Sequence, residues 1–431
     1  MRQMKDSGVE WIGQIPEDWR IERLQWYLDE VKVSNSPLQT SNVLSLTNKL
    51  GVIPYEEKGA QGNTSKEDYT QYKLAYPNTI VANSMNILIG SVGICNYFGC
   101  VSPVYYVFMP KATADLQFIN YIFQTKQFQQ ELRRYANGIL EIRLRVSANG
   151  ILKRMIAIPT LEQQKKIVVV LNRKIQSIDN LIANQQAQIE KLKEYKQAII
   201  TEAVTKGLDK TAPMKDSGVE WIGNIPASWE VLRIKNLGWT QNGISKGGDF
   251  FGQGYPFVSY GDVYKNIILP ENVDGLVETT EQERYNYSVQ ENDIFFTRTS
   301  ETIEEVGFSC VCKKTIPNAT FAGFLIRLRL FNNEKFHIDF AKYYFRGSHI
   351  RKYLVKEMNI VTRASLGQDL LKAMSVILPP MVEQHQIADY LDKKCADIDS
   401  LISIKQQKTE KLQEYKKSLI YEYVTGKKEV G

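Results

Sequence analysis

Histidine and cysteine, the side chains that most often supply a base, a nucleophile or a metal ligand, are scarce in this chain. The 431 residues include three histidines, His337, His349 and His385, and five cysteines. No two cysteines form a Cys-x-x-Cys pair, which is the usual building block of a structural zinc site. We therefore expect no metal centre, and we expect the thiols to be reduced, as in the cytosol.

Signatures of catalysis are also missing. The sequence contains no GxxxxGK[S/T] phosphate loop, no GxSxG nucleophile turn and no HExxH motif. It also lacks an Asn-Pro-Pro-aromatic tetrapeptide, which positions an exocyclic amine in amino-methyltransferases. The Lys-Gly-Gly stretch at 246–248 is expected to form a turn. These observations indicate a binding protein that is not itself an enzyme.

The overall composition is that of a folded protein with a mild excess of positive charge. Hydrophobic residues make up 43% of the chain, and the formal net charge is +6. This excess permits an anionic partner such as nucleic acid but does not demand one. The longest apolar runs have about five or six residues, whereas a membrane span needs about 20. With no secretory signal at the N-terminus, a cytoplasmic location is expected.

A repeated opening motif organises the chain. Residues Met4–Trp19 read MKDSGVEWIGQIPEDW, and Met214–Trp229 read MKDSGVEWIGNIPASW, with 13 of 16 positions identical. A second pair of blocks, 159–205 and 379–425, aligns without gaps at a separation of 220 residues and is identical at 20 of 47 positions. The protein therefore consists of two copies of one unit, and we expect its fold to contain the same unit twice.

The second repeated block has the pattern of a coiled coil. Apolar residues recur at alternating steps of three and four, which predicts a helix with one apolar seam. The apolar seam positions are Ile175, Ile178, Ile182, Ile189, Leu192, Ile199, Ile398, Ile402, Leu412 and Leu419. A helix of about 40 residues is about 60 Å long and needs a partner to cover its seam. Its own duplicate is the obvious partner, antiparallel if a pseudo-twofold axis relates the halves, with a parallel pair as the alternative.

The region between each opening motif and its helix is variable. Short β-rich runs (78–84, 101–109, 293–299 and 324–330) alternate with turns, and one amphipathic helix is expected in each region, over 115–138 and 337–360. Residues 78–93 align with 292–307 without gaps. The predicted fold is α+β, with variable domains at 1–158 and 214–378, long helices at 159–206 and 379–426, and a linker at 207–213. An antiparallel helix pair would put the variable domains at opposite ends of a rod.

Several fragments together resemble the specificity subunits of type I restriction–modification systems. They are the motif DSGVEWIGxIPxxW, the helix ending EKLxEYKxxxIxExVT, GSVGICNYFGCVSPVYYVF at 90–108, VSYGDVYKN at 258–266 and ENDIFFTRTSETIEEVG at 291–307. The resemblance covers nearly the whole chain. It implies that each variable domain is a target recognition domain for one half of a split site in double-stranded DNA.

The resemblance also implies partners. The helices would fix the gap between the half-sites and dock two methyltransferase subunits, and restriction subunits would complete an ATP-dependent nuclease. The assembled complex would be a DNA adenine methyltransferase. No cofactor is expected on this chain itself, because AdoMet, ATP and Mg would be used by the partner subunits.

Candidate DNA contacts are planar or polar side chains for base edges and cations for phosphates. In the first domain they are Asn83, Ser84, Asn86, Ser102, Tyr105, Arg133, Arg134, Arg143 and Arg145. In the second domain they are Tyr260, Thr297, Arg298, Thr299, Lys313, Lys314 and Arg363. Arg143 and Arg363 are equivalent in the repeat, which suggests a shared phosphate contact. Two alternatives stay open: Arg133 and Arg134 as a solvated helix face, and Tyr105 and Tyr260 as core aromatics.

The tryptophans of the opening motif, Trp11, Trp19, Trp221 and Trp229, have the same spacing in both halves. This conservation of spacing favours packing against the scaffold or docking of a methyltransferase subunit over stacking on bases. Two further functions compete with DNA recognition. A coiled-coil adaptor would explain the helices but not the cationic, divergent domains, and a nuclease would require acidic metal ligands in the variable domains.

Overall fold

The computed structural model describes residues 2–47, 50–58, 68–138, 144–300, 306–357 and 364–430. The chain divides into two compact units. Unit 1 comprises Met1–Gln186 and Gln406–Gly431, and unit 2 comprises Ala187–Lys405. Each unit therefore holds one variable domain, the start of the helix that follows it, and the end of the other long helix. No helix in the described ranges is long and apolar enough to cross a membrane.

Unit 1 begins with the opening motif as a small hairpin and continues into the first variable domain. Its strands are β1 (Met4–Asp6), β2 (Gln14–Pro16), β3 (Arg20–Arg23), β4 (Leu28–Val31), β5 (Leu44–Thr47), β6 (Gly51–Pro54), β7 (Lys73–Ala75), β8 (Thr79–Asn83), β9 (Val92–Cys95), β10 (Gly99–Val101), β11 (Tyr105–Pro110) and β12 (Met155–Ile158). Its short helices are α1 (Leu116–Gln124), α2 (Lys126–Arg133) and α3 (Ala148–Leu152). The central sheet has the order β4-β11-β8-β9, and β12 pairs with β3 to close the domain.

Unit 2 repeats this plan around the second opening motif. The strands are β13 (Met214–Asp216), β14 (Asn224–Pro226), β15 (Glu230–Arg233), β16 (Gly238–Asn242), β17 (Phe251–Val258), β18 (Leu276–Val277), β19 (Ile294–Thr297), β20 (Thr299–Ser300), β21 (Ser309–Val311), β22 (Thr320–Phe321), β23 (Leu325–Leu330), β24 (Ala364–Ser365) and β25 (Ser375–Leu378). The helices are α5 (Ile234–Leu237), α6 (Tyr260–Lys265), α7 (Glu281–Asn286), α8 (Ile338–Tyr344), α9 (Ser348–Glu357) and α10 (Gln368–Ala373). Its central sheet, β16-β23-β19-β21, has the same order as that of unit 1.

The strand registers show where the repeat is retained and where it is lost. Asn83 pairs with Tyr105 in unit 1, and the equivalent Thr297 pairs with Leu325 in unit 2. On the other side of the same strands, Ile80 pairs with Ile94, whereas Ile294 pairs with Val311. The loop between these two strands is thus three residues longer in unit 2. The gapless alignment of 78–93 with 292–307 holds through the first strand and is wrong beyond this loop.

The amphipathic segment predicted as one helix in each domain forms two helices. In unit 1 the break falls at Thr125, which has an extended backbone and whose hydroxyl caps α2 by accepting a bond from Phe128 N. In unit 2, α8 ends at Tyr344 and α9 begins at Ser348. At the start of a new helix, a capping hydroxyl accepts a bond from a backbone N–H that has no carbonyl partner within that helix. The cap therefore favours a break at this position. The predicted apolar residues, such as Phe118 and Leu354, are buried.

The long helices are α4 (Leu161–Lys206) and α11 (Met381–Val424), and each begins just after the proline that marks its start in the sequence. Every apolar seam position is buried or partly buried, while most flanking positions are exposed. In unit 1, Lys416 Nζ lies 2.7 Å from Asp179. In unit 2, Lys196 Nζ lies 2.6 Å from Asp399, and Lys405 bonds to Gln188. As the residue numbers along α4 increase, those of the contacting residues on α11 decrease. The helices therefore pack antiparallel, as predicted.

The end of a long helix packs against each opening motif. In unit 1 the hydroxyl of Tyr421 donates to the carbonyl of Trp11 at 3.0 Å. Gly426, which has a φ of +72°, packs so closely on Pro16 and Trp19 that a Cβ there would lie 2.4 Å from the proline ring. In unit 2, Gly207 packs on the Trp229 ring in the same way. The unit 1 motif therefore takes the end of α11, and the unit 2 motif takes the end of α4.

Candidate nucleic-acid interface

The candidates of the first domain converge on one end of its central sheet. Asn83 is the last residue of β8 and lies opposite Tyr105 at the start of β11. Ser84 N donates to Val104 O, and Ser84 O accepts from Val146 N at 3.4 Å. These backbone contacts bring together three loops that are far apart in sequence, so the sheet edge presents a composite surface.

Within this edge, some candidates shape the loops and others face solvent. Asn83 is buried, and its side-chain oxygen accepts a bond from Met85 N at 3.0 Å. Ser84 is also buried. Asn86 and Arg145 are exposed, and an Arg145 guanidinium nitrogen lies 3.6 Å from the Met85 sulfur. Asn86 and Arg145 are therefore the side chains of this loop pair that are placed to meet a ligand.

Arg133 and Arg134 end helix α2 on an exposed face near this edge. Arg134 lies 2.7 Å from Glu10 of the opening motif, and this ion pair lowers the pKa of the Glu10 carboxyl. The pair is exposed, so solvent weakens it. Arg143 lies outside the described residues.

Ser102 and Tyr105 are partly buried beside Asn83. The Tyr105 carbonyl accepts a bond of 2.8 Å from Lys73, whose ammonium also lies 5.2 Å from the centre of the Tyr106 ring. Burial lowers the pKa of Lys73 and raises the pKa of Tyr105. Lys73 was missed from sequence, because nothing in the sequence places it next to β11.

The equivalent edge of unit 2 is built by the same loops. Thr297 ends β19, and its hydroxyl accepts a bond from Phe308 N at 2.9 Å. Arg298 O accepts from Leu366 N at 2.7 Å, which is the counterpart of the Ser84–Val146 contact. Thr299 pairs with Ser365. Thr297 is buried, whereas Arg298 and Thr299 are partly exposed, and Arg363 lies outside the described residues.

An aromatic row lies against this edge of unit 2. Tyr260 opens helix α6 and stacks on Tyr264 at 5.8 Å between ring centres, and Tyr264 stacks on Phe308 at 5.4 Å. The Arg346 guanidinium lies 4.9 Å from the Phe308 ring centre and donates to Ser309 O at 2.8 Å. The three rings are half-buried. Tyr264, Phe308 and Arg346 were missed from sequence, since the row exists only once α6 packs on β19 and β21.

Lys313 and Lys314 do not join this edge. They follow β21 at the end opposite to Phe308, so a strand length separates them from Thr297. Lys313 forms an ion pair with Asp339, and Lys314 Nζ lies 2.8 Å from Glu271. The structure thus splits the second set of candidates into two groups.

The tryptophans of the opening motifs pack inside the units. Trp19 and Trp229 are fully buried, and Trp11 is buried with its ring 5.2 Å from that of Phe128. Trp221 is partly buried and stacks on His349. Trp229 Nε1 donates to Glu383 at 2.9 Å. Packing against the scaffold, one of the two alternatives from sequence, therefore describes these side chains, and the buried rings offer no surface for docking a partner.

Comparison with known proteins shows which family the chain resembles. The profile of the type I restriction modification DNA specificity domain matches residues 226–414. The MjaVIII specificity subunit of Methanocaldococcus jannaschii is 24% identical, with 96% of this chain and 93% of the relative aligned. A putative MjaX specificity subunit of the same organism is 25% identical, with 96% and 95% aligned. The chain is thus similar to type I restriction–modification specificity subunits along nearly its whole length.

Solved structures support the fold of this chain. A chain from a type I restriction–modification system structure, described for complex assembly and conformational transition, aligns with a TM-score of 0.71 at 13% identity, covering 95% of this chain and 98% of that one. The HsdS subunit from Thermoanaerobacter tengcongensis aligns with a TM-score of 0.52, also at 13% identity, covering 96% and 98%. The predicted fold class, with mixed α/β domains and long paired helices, is confirmed. In the described part of the chain, no group of three or more metal-ligating side chains could hold a metal ion.

Proposed function

We propose that each variable domain of this specificity subunit reads one half of a bipartite DNA site through the end of its central sheet. The family assigns DNA sequence specificity to the chain. One observation supports the finer proposal: equivalent loops meet at the same sheet edge in both units, yet the side chains there differ in chemistry. A shared frame with different contents is what two different half-sites require.

The two edges are suited to different contacts. In unit 1, Asn86 and Arg145 supply an amide and a guanidinium, which are the groups that pair with adenine and guanine edges in the major groove. In unit 2, Arg298 follows Thr297, whose hydroxyl accepts a bond from the backbone of Phe308 in the row of Tyr260, Tyr264 and Phe308. An aromatic row with a cation suits apolar contact with thymine methyl groups and with sugars, combined with one charged contact.

We propose further that the paired helices set the gap between half-sites and dock two methyltransferase subunits. Two equivalent apolar pairs on the helices support this role. Leu181 and Tyr415 are 47% and 50% exposed in unit 1, and Leu401 and Tyr195 are 48% and 59% exposed in unit 2. All four occupy the heptad position that flanks the seam on one side: each leucine precedes a seam isoleucine, and each tyrosine precedes a lysine at a seam position. Exposed apolar side chains repeated in this way are typical of a surface that binds two copies of one partner.

The catalytic chemistry belongs to partners in this proposal. The methyltransferase subunits would bind AdoMet and methylate adenine. Restriction subunits would use ATP and Mg to move and cut DNA. The specificity subunit chooses the site and assembles the complex.

The test is methylation mapping of DNA from cells that express this chain with its cognate methyltransferase subunit. We expect a methylated motif of two short half-sites with a fixed gap, absent when this chain is omitted. The variant Asn86→Ala should relax one half-site and Arg298→Ala the other, because each removes about 1–3 kcal/mol of base discrimination. The matched control is Lys314→Ala, which removes a cation from the opposite end of the same strands.

The control variant should leave both half-sites unchanged. If neither variant changes the motif, the sheet edges are not the reading surfaces. If no motif appears although the complex assembles and AdoMet is supplied, the adaptor function is favoured instead.

A further inference from the structure

A groove runs along the helix pair in unit 1, between the start of α4 and the end of α11. It has a volume of about 560 Å³. Its floor includes the buried side chains of Leu419 and Tyr423, and its walls include Val169 and Tyr415. Val169 is 68% exposed, although it lies on the largest helix of the unit. The groove is therefore an apolar depression open to solvent.

Two cations, Arg173 and Lys174, border this groove. Both are exposed, and no ion pair involves either side chain within the described part of the chain. The positions four residues before and after Arg173 hold Val169 and Ser177, so no acidic neighbour on the helix offsets its charge. The groove thus combines an apolar floor with an uncompensated positive rim.

The repeat changes this chemistry in unit 2. The positions equivalent to Val169 and Ser177 hold Asp389 and Asp397, which flank Lys393 at four residues on either side. Such spacing offsets the charge of the lysine. The position equivalent to Tyr423 holds Ala203. The same stretch of helix surface is therefore apolar and basic in unit 1 but mixed in charge in unit 2.

We propose that the unit 1 groove binds an acidic segment with an apolar anchor, contributed by one of the two methyltransferase copies, so that the two copies bind with unequal affinity. This inference rests on the docking role proposed above. The occupant follows from charge complementarity: a carboxylate satisfies Arg173 and Lys174, while an aliphatic or aromatic side chain covers the floor. The groove also includes Tyr415 of the unit 1 apolar pair, so it is continuous with the proposed docking surface.

The experiment uses the full chain and exchanges residues at equivalent groove positions between the two units. Stepwise binding of the cognate methyltransferase subunit is measured by native mass spectrometry and calorimetry. We expect two steps that differ beyond the statistical factor, with the tighter step more sensitive to salt. The variant V169D/S177D gives unit 1 the unit 2 residues and should weaken the tighter step at least tenfold. The reciprocal variant D389V/D397S should tighten the weaker step several-fold.

All four substituted positions are exposed, so melting temperature and circular dichroism should match those of the unaltered chain. Two equal binding steps, or no effect of V169D/S177D on either step, would overturn the unequal docking and leave the docking role intact. Absence of any binding to the unaltered chain would overturn both. Inorganic phosphate alone serves as a further probe. If phosphate binds the groove but displaces neither methyltransferase copy, the proposal is also overturned.

Discussion

The two variable domains share one frame and fill it differently. Both have a four-stranded sheet in the same order, closed by one strand pair at the domain base. Around this frame, unit 1 adds the hairpin β5–β6 and the strand pair β7–β10, whereas unit 2 adds β17 with its partners β18 and β22. Even a central strand position changes, since Val107 of β11 corresponds to Arg327 of β23, which is buried and has its pKa lowered to about 10 by burial. The frame therefore tolerates large changes within each domain.

What stays constant is the junction between each domain and its helix. Gln164 accepts a bond from Asp115 N at 2.8 Å, and Gln384 accepts one from His337 N at 2.7 Å. The Tyr343 hydroxyl donates to Asp392 at 2.7 Å, and the unit 1 counterpart Tyr121 bonds to Asn172. The comparison shows that repetition is kept where domains attach to the scaffold and is lost at the sheet edges proposed to read DNA. Four predictions test this division.

The largest effect is expected from exchanging whole domains at this junction. Replacing residues 230–374 with residues 20–154 should give a methylated site with two copies of the first half-site and no trace of the second. The reason is that the strand pairs β3–β12 and β15–β25 have equivalent registers, so either domain fits either base. Methylation mapping is the measurement. Retention of the second half-site by the exchanged chain would contradict independent reading.

The buried glutamines of the junction should contribute most to stability. Gln164→Ala and Gln384→Ala each remove bonds to backbone groups of three partners, which are buried or partly buried, since each side chain also donates to two carbonyls. We expect a loss of about 3 kcal/mol in the free energy of unfolding of the altered unit alone. Hydrogen exchange read separately for each unit measures it. Exposed Gln176→Ala is the control, and a loss below about 1 kcal/mol in either unit would contradict a junction role.

Acid should destabilise unit 2 more than unit 1. All three histidines lie in unit 2, and burial lowers the pKa of His349 to about 3. The folded state holds His349 neutral, whereas the unfolded chain binds a proton below a pH of about 6.5. This contribution is therefore present above pH 6.5 and is lost as the pH falls, by about 2 kcal/mol between pH 7 and pH 5.

The measurement is denaturation of each unit, followed by hydrogen exchange, at pH 7 and pH 5. His349→Gln installs the residue found at the equivalent position of unit 1, Gln127, and should remove most of the pH dependence. The pKa of His337 is also lowered, by burial and by the nearby His385, so His337→Gln should remove part of the remainder. An unchanged pH slope in the His349 variant would show that other groups cause the acid sensitivity.

The smallest effect is expected from single cations at the unit 1 edge. Arg145→Ala should weaken DNA binding about tenfold, because no acidic side chain among the described residues pairs with this guanidinium at the sheet edge. Arg134→Ala should have a smaller effect, because that guanidinium already contacts Glu10. Binding of the assembled complex to its site at fixed salt measures both. Equal losses from the two variants would argue for a diffuse phosphate-binding face in place of a defined edge.

Much of the scaffold was predictable from sequence. The repeats at 4–19 and 214–229 revealed two halves, and the spacing of residues such as Ile178 and Leu419 predicted the helices and their seam. Periodicity suffices for this because it reports which face of a helix is buried. The candidate edges were partly predictable, since Asn86, Arg145 and Arg298 follow or precede strands that the pattern marks. Break points such as Thr125 were not, because a single capping hydroxyl decides them.

Two like halves, two long helices and two divergent domains could all be recognised in the sequence. The contacts between distant segments could not, because they arise from tertiary packing. The helix ends at 190–205 and 410–425 are nearly interchangeable in sequence, yet 410–425 belongs to unit 1 and 190–205 to unit 2. Tertiary packing also separates Lys313 and Lys314 from Arg298, and it buries Trp19 and Trp229. The reason is physical: local pattern encodes burial and periodicity, whereas contacts between distant segments depend on strand register, antiparallel packing and close approach at glycines such as Gly426.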